Sequence, residues 1–185
     1  MKQNKDTIIA RLCVGVAAIA GCGFMPAYVA AEGYSHEWEE NARMAQTGDA
    51  DAQYSLACMY LAGDEVDLNP EEAAYWLRKS ASNGNAEAML ALGKLFQEGR
   101  GVLADNRIAA ENYWRAAEHG NAEGAYRYAE MLRDGKGVPA NKAKAYYWFK
   151  KAADAGYSEA SSQADLLKKY ASHPAKKSHK KSRQR

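Results

Sequence analysis

The chain has 185 residues and a formal net charge of +2, a length that suits one domain. Four Pro and three Cys exclude a collagen-like chain and a disulfide scaffold. The near-neutral total hides an asymmetry: residues 32–167 carry 14 basic against 22 acidic side chains, a net of −8, while 168–185 carry 8 basic and no acidic ones.

In chain order, residues 1–31 have the organisation of an export signal peptide. Lys2, Lys5 and Arg11 make a positive stretch, Leu12–Met25 is an apolar run rich in Gly and Ala, and Pro26 would break a helix there. The run is shorter than the roughly 20 apolar residues that a membrane span needs. Val29-Ala30-Ala31 sets small residues at the −3 and −1 positions of a peptidase site, with cleavage before Glu32. Two rival readings stay open. Ile19-Ala20-Gly21-Cys22 resembles a bacterial lipobox, which makes Cys22 a lipidated N-terminus, although Gly23–Ala31 would then be an apolar linker where polar ones are usual. The other rival is an uncleaved anchor. Every version places the body outside the cytoplasm, periplasmic or secreted after cleavage, or lipid-anchored to the envelope via Cys22.

The next stretch repeats itself every 36 residues: Gly48, Gly84, Gly120 and Gly156; Gly63, Gly99 and Gly135; Gly101 and Gly137. Such a fixed period marks a solenoid. Each repeat reads as two helices. In the first, Ala52, Leu56, Met59 and Tyr60 share one helical face, as do Ala88, Leu92, Leu95 and Phe96, then Gly124, Tyr128, Met131 and Leu132. Small residues recur at Ala57, Gly93 and Ala129, where a second helix comes close. Gly63, Gly99 and Gly135 suit the left-handed residue that ends a helix. Gly101 and Gly137 allow a second bend, and Val66, Val102 and Val138 tuck beneath it. Asn69, Asp105 and Asn141 stand at N-cap positions, with Pro70 at the first helical position. The second helices carry Ala73, Ala109 and Ala145 and the aromatic residues Tyr75, Trp76, Tyr113, Trp114, Tyr147, Trp148 and Phe149, expected to fill the space between helices. In the central repeat Asn112 holds the place of Trp76 and Trp148, and Trp114 stands two positions later. Trp38–Gln46 reads as a leftover second helix before the array, and Ser158–Tyr170 as the first helix of a fourth repeat; atypical ends are expected where a solenoid closes its core.

The pattern Ala88-x-x-x-Leu92-Gly93-x-x-Phe96-x-x-Gly99-x-Gly101-Val102, then Asp105–Ala109 and Ala116-Ala117-x-x-Gly120, resembles the Sel1-like repeat, a relative of the tetratricopeptide repeat. Glu65 departs from it at the second turn glycine of the first copy. The resemblance implies an all-α fold, a right-handed α-α solenoid of about three 36-residue helix-turn-helix repeats with partial capping repeats, the first helices lining the concave side. It also implies an adaptor that assembles complexes or binds peptides and envelope components. The resulting division is 1–31 signal peptide, 32–170 solenoid and 171–185 basic tail.

Nothing in the chain assembles a catalytic constellation. The body holds only His36 and His119, far apart, the latter just before a helix-ending glycine, where the dipole accounts for a histidine. His173 and His179 lack other metal ligands at useful spacing. Ser178-His179-Lys180-Lys181 matches the serine-x-x-lysine motif of β-lactamases by spelling, but a low-complexity tail holds no preorganised nucleophile; a hydrolase or β-lactam-binding protein is the third-ranked reading. Gly99-Arg100-Gly101 lacks the strand of a nucleotide loop. No cofactor or metal is expected. Cys58 has no partner for an intramolecular disulfide if Cys22 is removed or lipidated.

Binding is left. Tyr54, Cys58 and Leu61 point away from the packing face, as do Leu90, Lys94 and Gln97, then Tyr126, Glu130 and Arg133. The first of each trio stays apolar and suits packing against the neighbouring repeat. The others vary, so Cys58, Leu61, Lys94, Gln97, Glu130 and Arg133 are the candidate contacts for a protein or peptide ligand on the concave face. The tail, with Lys176, Lys177, Lys180, Lys181, Arg183 and Arg185, has no apolar face and is expected to be disordered. Its charge suits the acidic body or an anionic envelope surface, at about 1 kcal/mol per basic residue near such a membrane. Nucleic acid fits by charge alone but not with export.

Overall fold

Eight α-helices follow one another in the residues that the computed structural model describes, 36–63 and 66–171. They are α1 (His36–Thr47), α2 (Ala50–Ala62), α3 (Pro70–Ser82), α4 (Ala86–Glu98), α5 (Asn106–Glu118), α6 (Ala122–Asp134), α7 (Lys142–Asp154) and α8 (Ser158–Leu167); a 3₁₀ turn, Lys168–Tyr170, closes the series. No strand occurs among the described residues.

Both helices of every repeat begin on a side-chain cap. The carboxylate or amide oxygens of Asp49, Asn69, Asn85, Asp105, Asn121 and Asn141 accept from backbone N–H groups of the first turn that follows. Such a cap is worth about 1 kcal/mol. Asn69, Asp105 and Asn141 were legible as caps in the sequence; Asp49, Asn85 and Asn121, capping the first helices, are an addition. α8 starts at Tyr157 without a side-chain cap.

The first helices stop at Gly63, Gly99 and Gly135, all left-handed with φ of 74°, 70° and 72°. The Gly99 and Arg100 N–H groups both return to the Leu95 carbonyl at 2.9 and 3.1 Å, and the Asp105 N–H then reaches the Phe96 carbonyl at 2.9 Å. Gly101 and Gly137 do more than bend the chain. A Cβ on Gly101 would collide with the Pro70 backbone, and one on Gly137 with the Asn106 carbonyl. Each turn therefore presses on the start of the previous repeat's second helix, which makes the glycine an inter-repeat contact as well as a turn residue.

The core runs along aligned positions. Ala57, Gly93 and Ala129 sit at one, and Leu77, Tyr113 and Phe149 at another; the alanines and the three large residues are buried. The aromatic set divides. Tyr113, Trp148 and Phe149 are buried, whereas Tyr75, Trp114 and Tyr147 are exposed, so these three do not fill the space between helices as expected. They lie on the outward side of the second helices. Trp114 does not replace the missing indole: Asn112 itself is buried there.

Two layers result. Asn85 on α4's cap bonds Asp51 of α2, Asn121 bonds Glu87 of α4, and Arg133 of α6 bonds Gln163 of α8, so the first helices lie side by side. Arg115 to the Ala81 carbonyl and Lys151 to Glu118 connect α3, α5 and α7 in the second layer. At the ends, Ala42 and Ala45 of α1 cover Ala52 and Leu56 of α2, and Ala160, Ala164 and Leu167 of α8 cover the α7 side. These are the two partial repeats the sequence indicates.

Candidate functional site

The surface of the first helices follows from which positions the core consumes. Leu90 is buried, and Tyr54 and Tyr126 are half-buried. Tyr126 meets the Phe149 ring edge-on and lies tilted against Tyr157, with ring centroids 5.3 and 4.7 Å away. The apolar member of each trio thus packs, as expected, and the variable members stay at the surface.

On α4 and α6 those members join a chain of charges. Lys94 Nζ reaches Glu123 Oε1 across the two helices at 2.9 Å. Glu123 also takes Arg127 one turn later at 3.2 Å. Arg127 continues to Glu130 at 3.4 Å, and Arg133 lies 3.7 Å from Glu130 on its other side. Arg133 further holds Asp134 at 2.7 Å and Gln163 at 2.8 Å. Burial alone would raise the Glu123 carboxyl, but the Lys94 and Arg127 hydrogen bonds and charges outweigh it and hold it below the usual range. The Arg133 hydrogen bond does the same for Asp134.

A break in the repeat explains why the network forms here. Asn85 and Asn121 each donate to the acid one repeat earlier, Asp51 and Glu87, at 2.7 Å. The next residue in that series is Tyr157, which offers a ring instead of an amide. Glu123 is left to the cations of α4 and α6.

A small open depression of about 60 Å³ lies beside the network, lined by Gln97, Arg127, Glu130, Met131, Asp134 and Lys136. Gln97 is fixed there by the Tyr113 hydroxyl, which donates to its Oε1 at 2.7 Å. Of the candidate contacts, Gln97 and Glu130 line the depression, Arg133 braces Glu130, and Lys94 acts through Glu123. Cys58 and Leu61 lie on α2, outside it. Cys58 is half-buried beside Tyr54; burial raises its thiol, and burial, then the Cys58 charge, pushes the Tyr54 phenol up to about 12. The Leu61 carbonyl accepts from Arg100 Nη2 at 3.0 Å. Cys22 and the tail lie outside the described residues.

Arg127, Asp134 and Lys136 were not among the sequence candidates. Charge spacing could have found Arg127, which stands four residues after Glu123 and three before Glu130. Gln97, Glu130 and Asp134 set an amide and two carboxylates around the depression. His119 Nδ1 lies 2.9 Å from the Arg115 carbonyl at the end of α5, a helix-end contact. Among the described residues no group of three His, Cys, Asp or Glu converges as metal ligands, and no helix is long and apolar enough to cross a membrane.

Stacked helix pairs in two layers, with repeat-specific polar side chains on one of them, define an α-solenoid of the interaction-module class. The Sel1 repeat profile matches three consecutive segments, 50–85, 86–121 and 122–157, and the chain belongs to the Sel1 repeat family. Sel1 repeat solenoids are generally non-catalytic modules that bind protein partners. The structure is similar to a Sel1 repeat protein from Oxalobacter formigenes, 32% identical with a TM-score of 0.67, covering 71% of this chain and 99% of that one. It is also similar to a protective antigen of uropathogenic Escherichia coli strains that displays an SLR fold, 31% identical with a TM-score of 0.64, covering 66% of this chain and 26% of that one. Helicobacter pylori cysteine rich protein B, 19% identical with a TM-score of 0.58 and covering 69% and 96% of the two chains, shares the fold. No curated protein sequence matches the chain.

Proposed function

We propose that this chain is an exported, non-catalytic scaffold of the bacterial cell envelope, and that it holds a protein or peptide ligand on the concave, first-helix face. The observation that carries the reading is the charge network on α4 and α6. Packing positions are nearly the same in all repeats, while Lys94, Glu123, Arg127, Glu130 and Arg133 form a set that the first repeat does not copy. A ligand there replaces internal partners one for one: a carboxylate competes for Arg127, and a backbone N–H for Glu130 or Asp134. Export rests on the composition of residues 1–31, with cleavage after Ala31 and a periplasmic or secreted product as the first form and lipidation at Cys22 as the second. Globomycin-sensitive processing separates them.

The test reverses Lys94 and Glu130 together, K94E/E130K, in cells and follows the partners recovered by crosslinking. The double variant should lose its main partner while keeping its helical spectrum. An unchanged partner profile would sink the site. A second reading, contact between the basic tail and an anionic envelope surface, is favoured by the absence of any acid in 168–185.

A further inference from the structure

The depression on α4 and α6 repeats a place that the preceding repeat fills from within. Arg100 follows the turn glycine Gly99 and sends Nη2 back to the Leu61 carbonyl at 3.0 Å. One repeat on, Lys136 follows Gly135, and Gln97 stands where Leu61 does. Lys136 and Gln97 line the depression together, and both are exposed. The Lys136 ammonium, unlike the Arg100 guanidinium, has no hydrogen-bond or ion-pair partner among the described residues.

The acceptors around these two side chains are engaged. Glu130 takes Arg127 at 3.4 Å and lies 3.7 Å from Arg133. Both oxygens of Asp134 accept from Arg133, at 2.7 and 3.1 Å. The Met131 carbonyl accepts from the Gly135 and Lys136 N–H groups at 2.9 and 3.1 Å. The donors are in the opposite position. The Tyr113 hydroxyl donates to Gln97 Oε1 at 2.7 Å, which fixes the amide and leaves its Nε2 without a partner among the described residues. Only the central repeat can do this, because Leu77 and Phe149 hold the place of Tyr113 in the other two. An amide nitrogen carries two donors and an ammonium three. The charges agree: Lys94, Arg127, Arg133 and Lys136 face only Glu123, Glu130 and Asp134 in and beside the network. Glu98, another acid whose charge reaches the Tyr113 hydroxyl, is not in the lining.

We propose that Gln97 Nε2 and Lys136 Nζ form a subsite for one carboxylate, the side chain of an Asp or Glu on a protein or peptide partner. The inference rests on the reading of the first-helix face as the binding face, and gives its ligand a chemistry. The space of about 60 Å³ is on the scale of a side-chain tip, a water in the liquid taking about 30 Å³. A carboxylate there accepts from an amide and from an ammonium, the second a charge-assisted bond. Met131 in the lining offers an apolar surface to the methylenes behind it. Docking at these two donors breaks no internal pair, unlike competition for Arg127. Arg100 spends its donor on the chain's own carbonyl; Lys136 keeps the equivalent donor for the partner.

The experiment uses residues 32–185, which hold every described helix; a solved Sel1 repeat chain is covered over 99% of its length by 71% of this one, so an array of this extent folds alone. It is panned against a random-peptide phage library whose peptides have no free C-terminus, and the binders kept are those lost on K94E/E130K. These should share an Asp or Glu at one position. The best is remade as a soluble, amidated peptide. Calorimetry at low salt then compares it with its Gln-substituted form, on the parent and on K136Q. Each change alone should weaken binding about two- to fivefold. The two together should cost no more than either alone, the coupling that a direct contact gives. Q97A should weaken the acidic peptide more than its Gln form. Binders that carry no acid, or effects of the peptide change and K136Q that simply multiply, overturn the carboxylate subsite and leave the face reading standing. If no binder is sensitive to K94E/E130K, both fall. Matching circular dichroism spectra keep a weaker affinity from being a folding defect.

Discussion

Gly93→Ala sets helix propensity against packing, and the structure decides between them. Gly93 lies mid-helix in α4 with an ordinary helical backbone, so alanine alone would add about 1 kcal/mol. The new Cβ, however, would stand 2.6 and 2.7 Å from Cε1 and Cδ1 of Tyr113. That ring is 1% exposed, and its hydroxyl is held by Gln97 at 2.7 Å. It has nowhere to retreat without losing the bond. Overpacking costs about 1–3 kcal/mol and the hydrogen bond about 1 kcal/mol. Net destabilisation is then about 1–3 kcal/mol, or a midpoint lowered by about 3–10 °C for a domain of this size. The first repeat supplies the rescue: it holds Ala57 and Leu77 at these two positions, so G93A/Y113L rebuilds that pair in the second. The double variant should recover at least 1 kcal/mol relative to the sum of the single changes, read by thermal and urea unfolding under circular dichroism. A G93A variant as stable as the parent, or strictly additive effects, would refute the close approach of α4 and α5.

Asn112→Leu should raise the unfolding free energy by about 1 kcal/mol in urea titrations, because the buried Asn112 Oδ1 has no partner among the described residues while Nδ2 donates to the Ile108 carbonyl at 2.8 Å; a loss of stability would mean that Oδ1 is paired in solution. Alkaline pH should destabilise the fold beyond ordinary tyrosine titration. Tyr54, Tyr113 and Cys58 all have raised values, chiefly through burial, so the folded state keeps protons that the unfolded chain has lost. Stability is full below the unfolded-state values and falls as pH rises from about 9 through 12; a chemical-denaturation series that stays flat over that range would contradict the burial of these groups.

The repeat, its caps and its stop signals were legible because each depends on a local rule: a left-handed glycine at Gly99, a capping side chain at Asp105, an apolar face through Leu92 and Phe96. What the sequence concealed depends on relations between repeats. Gly101 and Gly137 look like turn residues, yet each also gives way to the backbone of the preceding second helix. Tyr75, Trp114 and Tyr147 look like core because they are large and aromatic, but a helical wheel fixes only relative direction, and their stripe faces out. The site was partly visible. Lys94, Gln97, Glu130 and Arg133 stood out as positions where the copies disagree. Arg127 did not, since its role arises from a single substitution, Tyr157 in an asparagine position, which releases Glu123 from the amide ladder.

The claim that the first-helix face of α4 and α6 binds the partner is tested most directly by a photo-crosslinking residue at Gln97, inside the depression, compared with one at Trp114 on the outer stripe. In intact cells the Gln97 probe should yield a discrete adduct that disappears with K94E/E130K, and the Trp114 probe should not yield it. The same adduct from both positions, or one that survives the charge reversal, would contradict the account.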